Sequence, residues 1–586
     1  MLKSILKKRN FFSLILKIFS LINIEEEKNK LINLSNLIII QAILDILSIA
    51  SLVPLLYTIQ DNQNTIKFIE KNFGILNKEI ISDYTFYIPL FVILIMVIAT
   101  ASRLFVVFKI NLFIENIRHK ITTKLMSNYL NNRIVLKTKN TEIAKLILSE
   151  VDQFMIIVFE PTVLMLTNII FFVGIIVYLF FANSLASMLS LFLLISFYTV
   201  FYFFTKRILN KEGRKSERAN KGRFKIAIEA FDSLKDIKVY KAEKFFIEKF
   251  KNYSYSFAKT NSTYNSLVSS PKYILEMIVF IALSASILFI SKDNNSRQEI
   301  IPLLGTFAFA AYKAQPALSN IIYGINSLEY GSEMIFNLHN KLITNGKNIN
   351  NETNNYKIED LKNANTCLQL KDIYFSYFIN GQKQECLKNI NLEIKKNKLF
   401  VIAGESGSGK STLLSLISGL LVPENGIIKF NKKGGEKLLP KISYLNQDFA
   451  LINASLAENV AFGIPKNKIN HALVRSSLQK SGILNYINTL KGNINYILGE
   501  KGEGFSIGQK QRLSIARALY FKPDILILDE PTSSLDIMNE KKIIETIKNI
   551  SKEITVIMST HKLEHLPTDI DVWLLDNKGN IALKKS

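Results

Sequence analysis

The stretch "GESGSGKSTL", residues 404–413, follows the apolar run "NKLFVIA" and runs into "STLLSLISGLL". Read outward, a buried strand ends in a glycine-rich turn that opens a helix. Gly404, Gly409, Lys410 and Ser411 fill the G-x-x-x-x-G-K-[ST] pattern of a P-loop. Glycines let the backbone bend so that successive N–H groups face one phosphate chain, and the helix N-terminus adds a favourable dipole. Gly404, Glu405, Ser406, Gly407, Ser408, Gly409, Lys410, Ser411 and Thr412 are therefore candidate phosphate ligands. Lys410 is placed to reach the β- and γ-phosphates and Ser411 to hold Mg²⁺.

Downstream, "KPDILILDEP" (522–531) is an apolar strand ending in Asp529 and Glu530. In P-loop enzymes an Asp at such a strand end supports Mg²⁺. The adjacent Glu530 is placed to polarise an attacking water, which is general-base work.

The chain has 586 residues, room for several domains, and a formal net charge of +24. Such an excess would suggest nucleic acid or an anionic surface. Its location decides between them. Six segments, about 33–59, 84–108, 155–182, 184–206, 272–291 and 299–325, are apolar over the ~20 residues that a bilayer-crossing helix needs. The connection 109–154 carries Lys109, Arg118, Lys120, Lys124, Arg133, Lys137, Lys139 and Lys145, and 207–272 begins "RILNKEGRKSERANKGRFK". The connection 60–83 has only three lysines, and 292–298 one Lys and one Arg. Basic connections belong on the cytoplasmic side, so both termini are expected in the cytoplasm and the charge needs no nucleic acid.

Helical periodicity in the basic connections, as in "IEAFDSLKDIKVYKAEKFFIEKF", predicts membrane helices that continue into the cytosol and reverse near 128–136 and 230–237. "FFANS" predicts a tight reversal at Asn183. The N-terminal "MLKSILKKRNFFSLILKIFSLINIEEEK" lacks a small-residue cleavage site, and Lys17 interrupts its apolar stretch. It reads as an amphipathic helix on the cytoplasmic membrane face. Residues 341–366, "KLITNGKNINNETNNYKIEDLKNANT", read as a linker. The two cysteines, Cys367 and Cys386, read as free thiols.

Beyond the P-loop, residues 367–586 resemble the nucleotide-binding domain of an ABC transporter. "EGFSIGQKQRLSIARAL" (503–519) resembles the family's signature segment, with Phe505-Ser506-Ile507-Gly508-Gln509 in place of L-S-G-G-Q. In the family this segment caps ATP held by the P-loop of a second subunit. Carried over, Ser506, Gly508 and Gln509 would touch the γ-phosphate of a partner's ATP. The resemblance further places Tyr377 of "YFSYF" against adenine. It assigns Gln447 of "SYLNQDF" to Mg²⁺ and water, His561 of "VIMSTHKLEHL" as the switch histidine, and Asp536 of "SSLD" to the loop between. His565 has no such match. "LGEKGEGFS" resembles the G-E-R-G loop of exporters, in which Glu500 would contact the membrane domain.

The resemblance thus implies a membrane α-helical domain of six transmembrane helices extended into the cytosol (1–340), the linker 341–366 and an α/β P-loop ABC ATPase domain (367–586). One P-loop and one signature in a chain imply a dimer, of this chain or with a related half-transporter, in the inner (cytoplasmic) membrane. The implied cofactors are ATP and Mg²⁺. A soluble or DNA-associated ATPase is excluded by the six spans, and an ATP-gated channel or regulator is disfavoured by intact Glu530 and His561. Asp45, Arg103, Glu160, Glu276 and Lys313 lie within membrane segments, where charge is costly. Arg103 and Lys313 could hold an anionic head group, unless Asp45 pairs with one of them. "LDILSIASLVPLL", "PKYILEM" and "AAYKAQPALSNIIY" are similar to segments of bacterial lipid-linked oligosaccharide flippases, which implies an amphiphilic, lipid-linked substrate; a peptide or other lipid remains the alternative.

Overall fold

The structure, a computed structural model, describes residues 11–22, 24–60, 78–131, 140–182, 184–290, 297–344, 356–359, 365–379, 382–431, 439–447, 449–499, 502–533, 535–564, 566 and 570–584. Asn183, Glu500, Ser534 and His565 lie outside them, as do most of the linker and most of the reversal expected near 128–136. The chain divides into two compact units, Met1–Lys347 and Asn348–Ser586.

The first unit is helical. Its main helices are Phe11–Ile22, Ile24–Ala50, Leu52–Gln60, Lys78–Asn131, Glu160–Ala182, Ser184–Asp232, Glu243–Ile290, Arg297–Tyr330 and Ser332–Thr344. Each of the six expected spans falls within these helices or the short helical turns that lead into Glu160. Among the described residues, Glu27–Thr58, Tyr87–Asn131 and Glu142–Phe181 are long and apolar enough to cross a bilayer. Lys78–Asn131 has 54 residues, or ~80 Å at 1.5 Å per residue, far more than the ~30 Å hydrocarbon core requires. More than half of such a helix must therefore extend beyond that core.

Prolines set two of the breaks, although Pro89 and Pro271 sit inside unbroken helices. Pro54 has no N–H to give Ala50, and its ring crowds that carbonyl, so the helix stops at Ala50 and resumes at Leu52. Pro161 does the same to the turn before it, and a wide π-turn occupies Met155–Phe159. The reversal expected at 230–237 is present. One helix ends at Asp232, a short one spans Leu234–Tyr240, and Lys241 caps it with a left-handed φ of 54°.

The N-terminal amphipathic stretch is a helix, but protein covers its apolar face. Leu14 and Ile18, four residues apart, are buried in a cluster with Ile335 and Leu338, and the Lys17 ammonium lies over the Phe336 ring. The i, i+4 apolar spacing serves a neighbouring helix as well as it would serve lipid. Elsewhere close approach depends on a missing side chain. A Cβ at Gly324 would stand 2.4 Å from Met165 Cβ and 2.7 Å from the Pro161 carbonyl oxygen, so the Arg297–Tyr330 and Glu160–Ala182 helices touch backbone to backbone there.

The second unit holds two sheets. One has the order β1-β5-β2-β3, with β1 at Tyr356–Glu359, β2 at Thr366–Ile379, β3 at Gln382–Lys395 and β5 at Asn425–Asn431. β1 lies inside the stretch read as linker; it pairs in parallel with β5, and the Tyr356 hydroxyl donates to the carbonyls of Leu416 and Leu421. The second sheet has the order β10-β9-β4-β8-β7-β6: β4 is Leu399–Ala403, β6 Ile442–Leu445, β7 Ile525–Leu528, β8 Thr555–Thr560, β9 Val572–Leu575 and β10 Ile581–Lys584. Its β4, β8, β7 and β6 are parallel neighbours, and β4, β7 and β8 are buried at every residue. Cover on both faces explains why these strands read as unbroken apolar runs.

Gly324→Val tests the helix contact. Because a backbone carbonyl cannot yield cheaply, the variant should lose about 1–3 kcal/mol of stability. A thermal melt of the detergent-solubilised protein, followed by size-exclusion chromatography, should show a lowered midpoint; an unchanged midpoint would mean that the helices do not touch at this position.

Candidate active site

In the second sheet β8 separates β4 from β7, and β6 follows β7. The carboxyl ends of these four parallel strands therefore deliver, in spatial order, the P-loop, His561, the pair Asp529 and Glu530, and Gln447. Ligands of open parallel sheets bind at this edge.

The P-loop turns into the helix Lys410–Ile417, capped by Gly409 in a left-handed conformation, φ 102°. A side chain at Gly404 would strike the Leu575 carbonyl oxygen at 2.4 Å, whereas the space above Gly407, φ 85°, is open. Lys410 is buried, and its ammonium donates to the carbonyls of Gly404 (2.9 Å) and Glu405 (2.8 Å). Ser408 Oγ is buried with no hydrogen-bond partner. An open cradle, a buried cation and an unpaired hydroxyl in one loop fit a phosphate chain. On the flank, Glu405 accepts from Asn577 Nδ2 at 2.5 Å.

Asp529 is the centre of the polar network. Its Oδ1 accepts from Ser411 Oγ at 3.0 Å and from Ser559 Oγ at 2.7 Å, and its Oδ2 accepts from the Tyr444 hydroxyl at 3.1 Å. Burial, reinforced by the Asp529 carboxylate, pushes the Tyr444 phenol above its ordinary range, so it stays a proton donor. The Ser411 hydroxyl and Asp529 carboxylate are hard oxygen donors suited to Mg²⁺. Among the described residues no group of three or more His, Cys, Asp or Glu gathers as a metal site.

Glu530 lies beside this network with φ 46°, a left-handed conformation rare for a residue with a side chain. Its N–H donates to Ser559 Oγ at 2.9 Å. Its Oε2 accepts from Gln447 Nε2 at 3.1 Å, and its Oε1 is 3.6 Å from Lys410 Nζ and 3.4 Å from His561 Nδ1. The carboxylate thus meets three sequence-predicted site residues at once. Tyr377 reaches the same loop from β2: its hydroxyl is 3.0 Å from Thr412 Oγ1, and its ring stands edge-on to Phe375.

Ser506, Gly508 and Gln509 are placed differently. Ser506 caps the helix Ile507–Tyr520, its Oγ accepting from Gln509 N (3.3 Å) while its own N–H donates to Gln509 Oε1 (2.9 Å). Among the described residues, no hydrogen bond or ion pair joins these three to the P-loop. Ile507, at the departure from the usual glycine, is 54% exposed. Asp536 caps the next helix, Ile537–Ser551, accepting from Asn539 N. A cavity of about 660 Å³ in this unit shares Tyr444 with the network but none of the P-loop.

Ser559 and Tyr444 were not singled out by motif. Ser559 sits two residues before His561, but only strand order brings it between Asp529 and Glu530. Cys386, whose Sγ lies 3.5 Å from Thr412 Oγ1, is likewise visible only in three dimensions.

Comparison with known proteins agrees with this geometry. Residues 29–310 match the family model of the ABC transporter transmembrane region, and residues 387–533 match the ABC transporter family model. An export ATP-binding/permease protein of Rickettsia bellii (strain RML369-C) is 28% identical over 517 residues, 84% of this chain and 85% of that one. The leukotoxin translocation ATP-binding protein LktB of Mannheimia glucosida is 36% identical over 222 residues, 37% of this chain and 30% of that one. Among solved structures, a bacterial Atm1-family ABC exporter with ATP bound superposes with a TM-score of 0.71 at 17% identity, over 95% of this chain and 94% of that one, a likeness of fold. The two family models cover well over half of the polypeptide, one on each unit, and the chain belongs to the ABC transporters, with a transmembrane region and an ATP-hydrolysing domain in one polypeptide.

Proposed function

We propose that the chain is an ATP-driven exporter that moves an amphiphilic substrate across the cytoplasmic membrane, with residues 1–340 forming the pathway and 367–586 the motor. The observation that carries this reading is Glu530, held by its neighbours in the P-loop site of a chain whose other half is a transmembrane region. A gate needs ATP to bind; a carboxylate poised among Lys410, Gln447 and His561 serves hydrolysis. The export and translocation names of the relatives and the exporter-like "LGEKGEGFS" favour outward transport.

In this mechanism the P-loop and Lys410 hold the β- and γ-phosphates, and Tyr377 supports adenine. Mg²⁺, held by Ser411 and Asp529 with Gln447 nearby, would neutralise phosphate charge. Glu530 accepts a proton from water as the water oxygen bonds to the γ-phosphorus and ADP leaves. His561, at the end of β8, orients the γ-phosphate. The basic connections put the ATPase domain and both termini in the cytoplasm.

The site works as a dimer, with a second copy or a related half-transporter. Among the described residues no hydrogen bond or ion pair joins the Ser506–Gln509 capping box to its own P-loop, and Ile507 is exposed beside it. A facing subunit would supply the ATP that Ser506, Gly508 and Gln509 cap. The substrate reading is narrower. The three stretches that resemble lipid-linked oligosaccharide flippases suit an amphiphile with a charged head.

Glu530→Gln should bind ATP and hydrolyse it at least ~100-fold more slowly, and ATP-dependent uptake into inside-out proteoliposomes should stop with it. Turnover at the parent rate would reject Glu530 as the base.

Gly508→Ala separates fold from assembly. A Cβ there meets only Leu535 Cδ2, at an ordinary 3.5 Å, and Ala is the better helix former by about 1 kcal/mol. The variant should therefore melt no lower than the parent, yet lose most ATPase activity because the methyl group faces a partner's nucleotide. Full activity would argue against a signature segment that closes on ATP.

A further inference from the structure

Asp45, Arg103 and Lys313 come from three distant parts of the sequence and meet within the membrane unit. Asp45 Oδ2 accepts from Arg103 Nη2 at 2.7 Å and from Gln41 Nε2 at 3.0 Å, and Asp45 Oδ1 lies 3.8 Å from Lys313 Nζ. The carboxylate therefore pairs with both cations, so the expectation that Arg103 and Lys313 are free to hold an anionic head group fails as stated, and only the charge left over can attract one. A cavity of about 220 Å³ adjoins the group between four helices, and these three are the charged residues of its lining. One carboxylate against two cations leaves that lining with a surplus of one positive charge. Arg103 stays 43% exposed, which leaves the group open on one side.

A second feature points to a ligand. Gln41 is buried to 7% exposure and lines the same cavity. Its Nε2 donates to Asp45 and to the Ala99 carbonyl (3.2 Å), which fixes the amide orientation, and its Oε1 has no hydrogen-bond partner. A surplus charge and an unpaired buried acceptor in an apolar bundle both cost free energy. An anion in the cavity would relieve the first.

We propose that this cavity binds a single oxyanion of the transported molecule, its charge met by Arg103 and Lys313. The inference rests on the exporter reading above and narrows its substrate to an amphiphile whose head carries one negative charge. The volume agrees, since it is below the ~300–1,000 Å³ of sites that enclose whole drug-sized ligands. The head enters and the rest of the molecule lies outside. A pyrophosphate, with two or more charges, exceeds the surplus charge of the lining.

The full chain in phosphatidylcholine nanodiscs, without ATP, would be titrated calorimetrically with two single-charge amphiphiles. N-lauroylglycine carries a carboxylate beside an N–H, and lysophosphatidylglycerol a phosphodiester beside hydroxyls; whichever binds identifies the source of the oxyanion. The neutral methyl ester of N-lauroylglycine should bind at least about tenfold more weakly than the acid. Lys313→Gln, which neutralises the lining, should weaken the anion about tenfold, and Asp45→Asn, which adds a charge, should tighten it by a similar factor. The double variant Asp45→Asn, Lys313→Gln restores one surplus charge and should return near the parent affinity. Should Asp45→Asn not fold, Arg103→Gln must lose binding as Lys313→Gln does. Anions that bind no better than the ester, or affinities that ignore this charge series, would reduce the cluster to a structural ion pair and overturn the proposal. Because binding is read without ATP, a failed transport assay would count against the exporter reading alone.

Discussion

Asp529 is a carboxylate at 3% exposure at the end of a fully buried strand, and a buried charge is tolerated only with its lone pairs occupied. Three hydroxyls occupy them, and each comes from a different element: Ser411 from the P-loop helix, Ser559 from β8 and Tyr444 from β6. Losing any one donor would leave a lone pair buried and unpaired, which costs more than an average hydrogen bond returns. The P-loop helix is therefore tied to the far strands of the sheet through one side chain. Neighbouring Glu530 inherits its place from the same arrangement, because Ser559 binds both the Asp529 carboxylate and the Glu530 N–H.

That tie makes the two halves of the nucleotide machinery physically unlike. The P-loop side is pre-organised: Lys410 is buried, Glu530 is held in a left-handed backbone conformation, and the cradle is shaped by Gly404 against Leu575. Strain of that kind persists only where the surroundings over-determine it. The signature side is a helix start whose backbone donors are partly satisfied by its own capping box and whose leading side chain, Ile507, faces solvent. In the dimer proposed above, the second would be the wall that the first lacks.

Much of this site is legible in one dimension because its chemistry is carried by residues adjacent in sequence. The P-loop is nine consecutive residues, Asp529 and Glu530 are neighbours, and the unbroken apolar runs before them follow from burial on both faces of a parallel sheet. Contacts between distant segments are not legible. Ser411 and Asp529 are 118 positions apart, and Ser559 has the composition of any strand-end serine. The strand at Tyr356–Glu359 was hidden by its Asn-rich flanks, since a four-residue strand carries little periodicity of its own. The helix Phe11–Ile22 was legible as amphipathic, but its moment does not say whether lipid or protein covers the apolar face.

The membrane half poses the same problem of buried charge and solves it less completely. Asp529 meets neutral donors, so its negative charge remains uncompensated. Asp45 meets two cations, so the balance there is reversed and a positive charge remains. Folding alone would be served better by one cation or none, because replacing buried ions with apolar side chains of similar size is often neutral or stabilising. A second cation therefore has no stabilising role that one would not fill. Its presence, beside an unpaired glutamine oxygen and an open cavity, is accounted for if, as proposed above, the missing counter-charge arrives with the cargo.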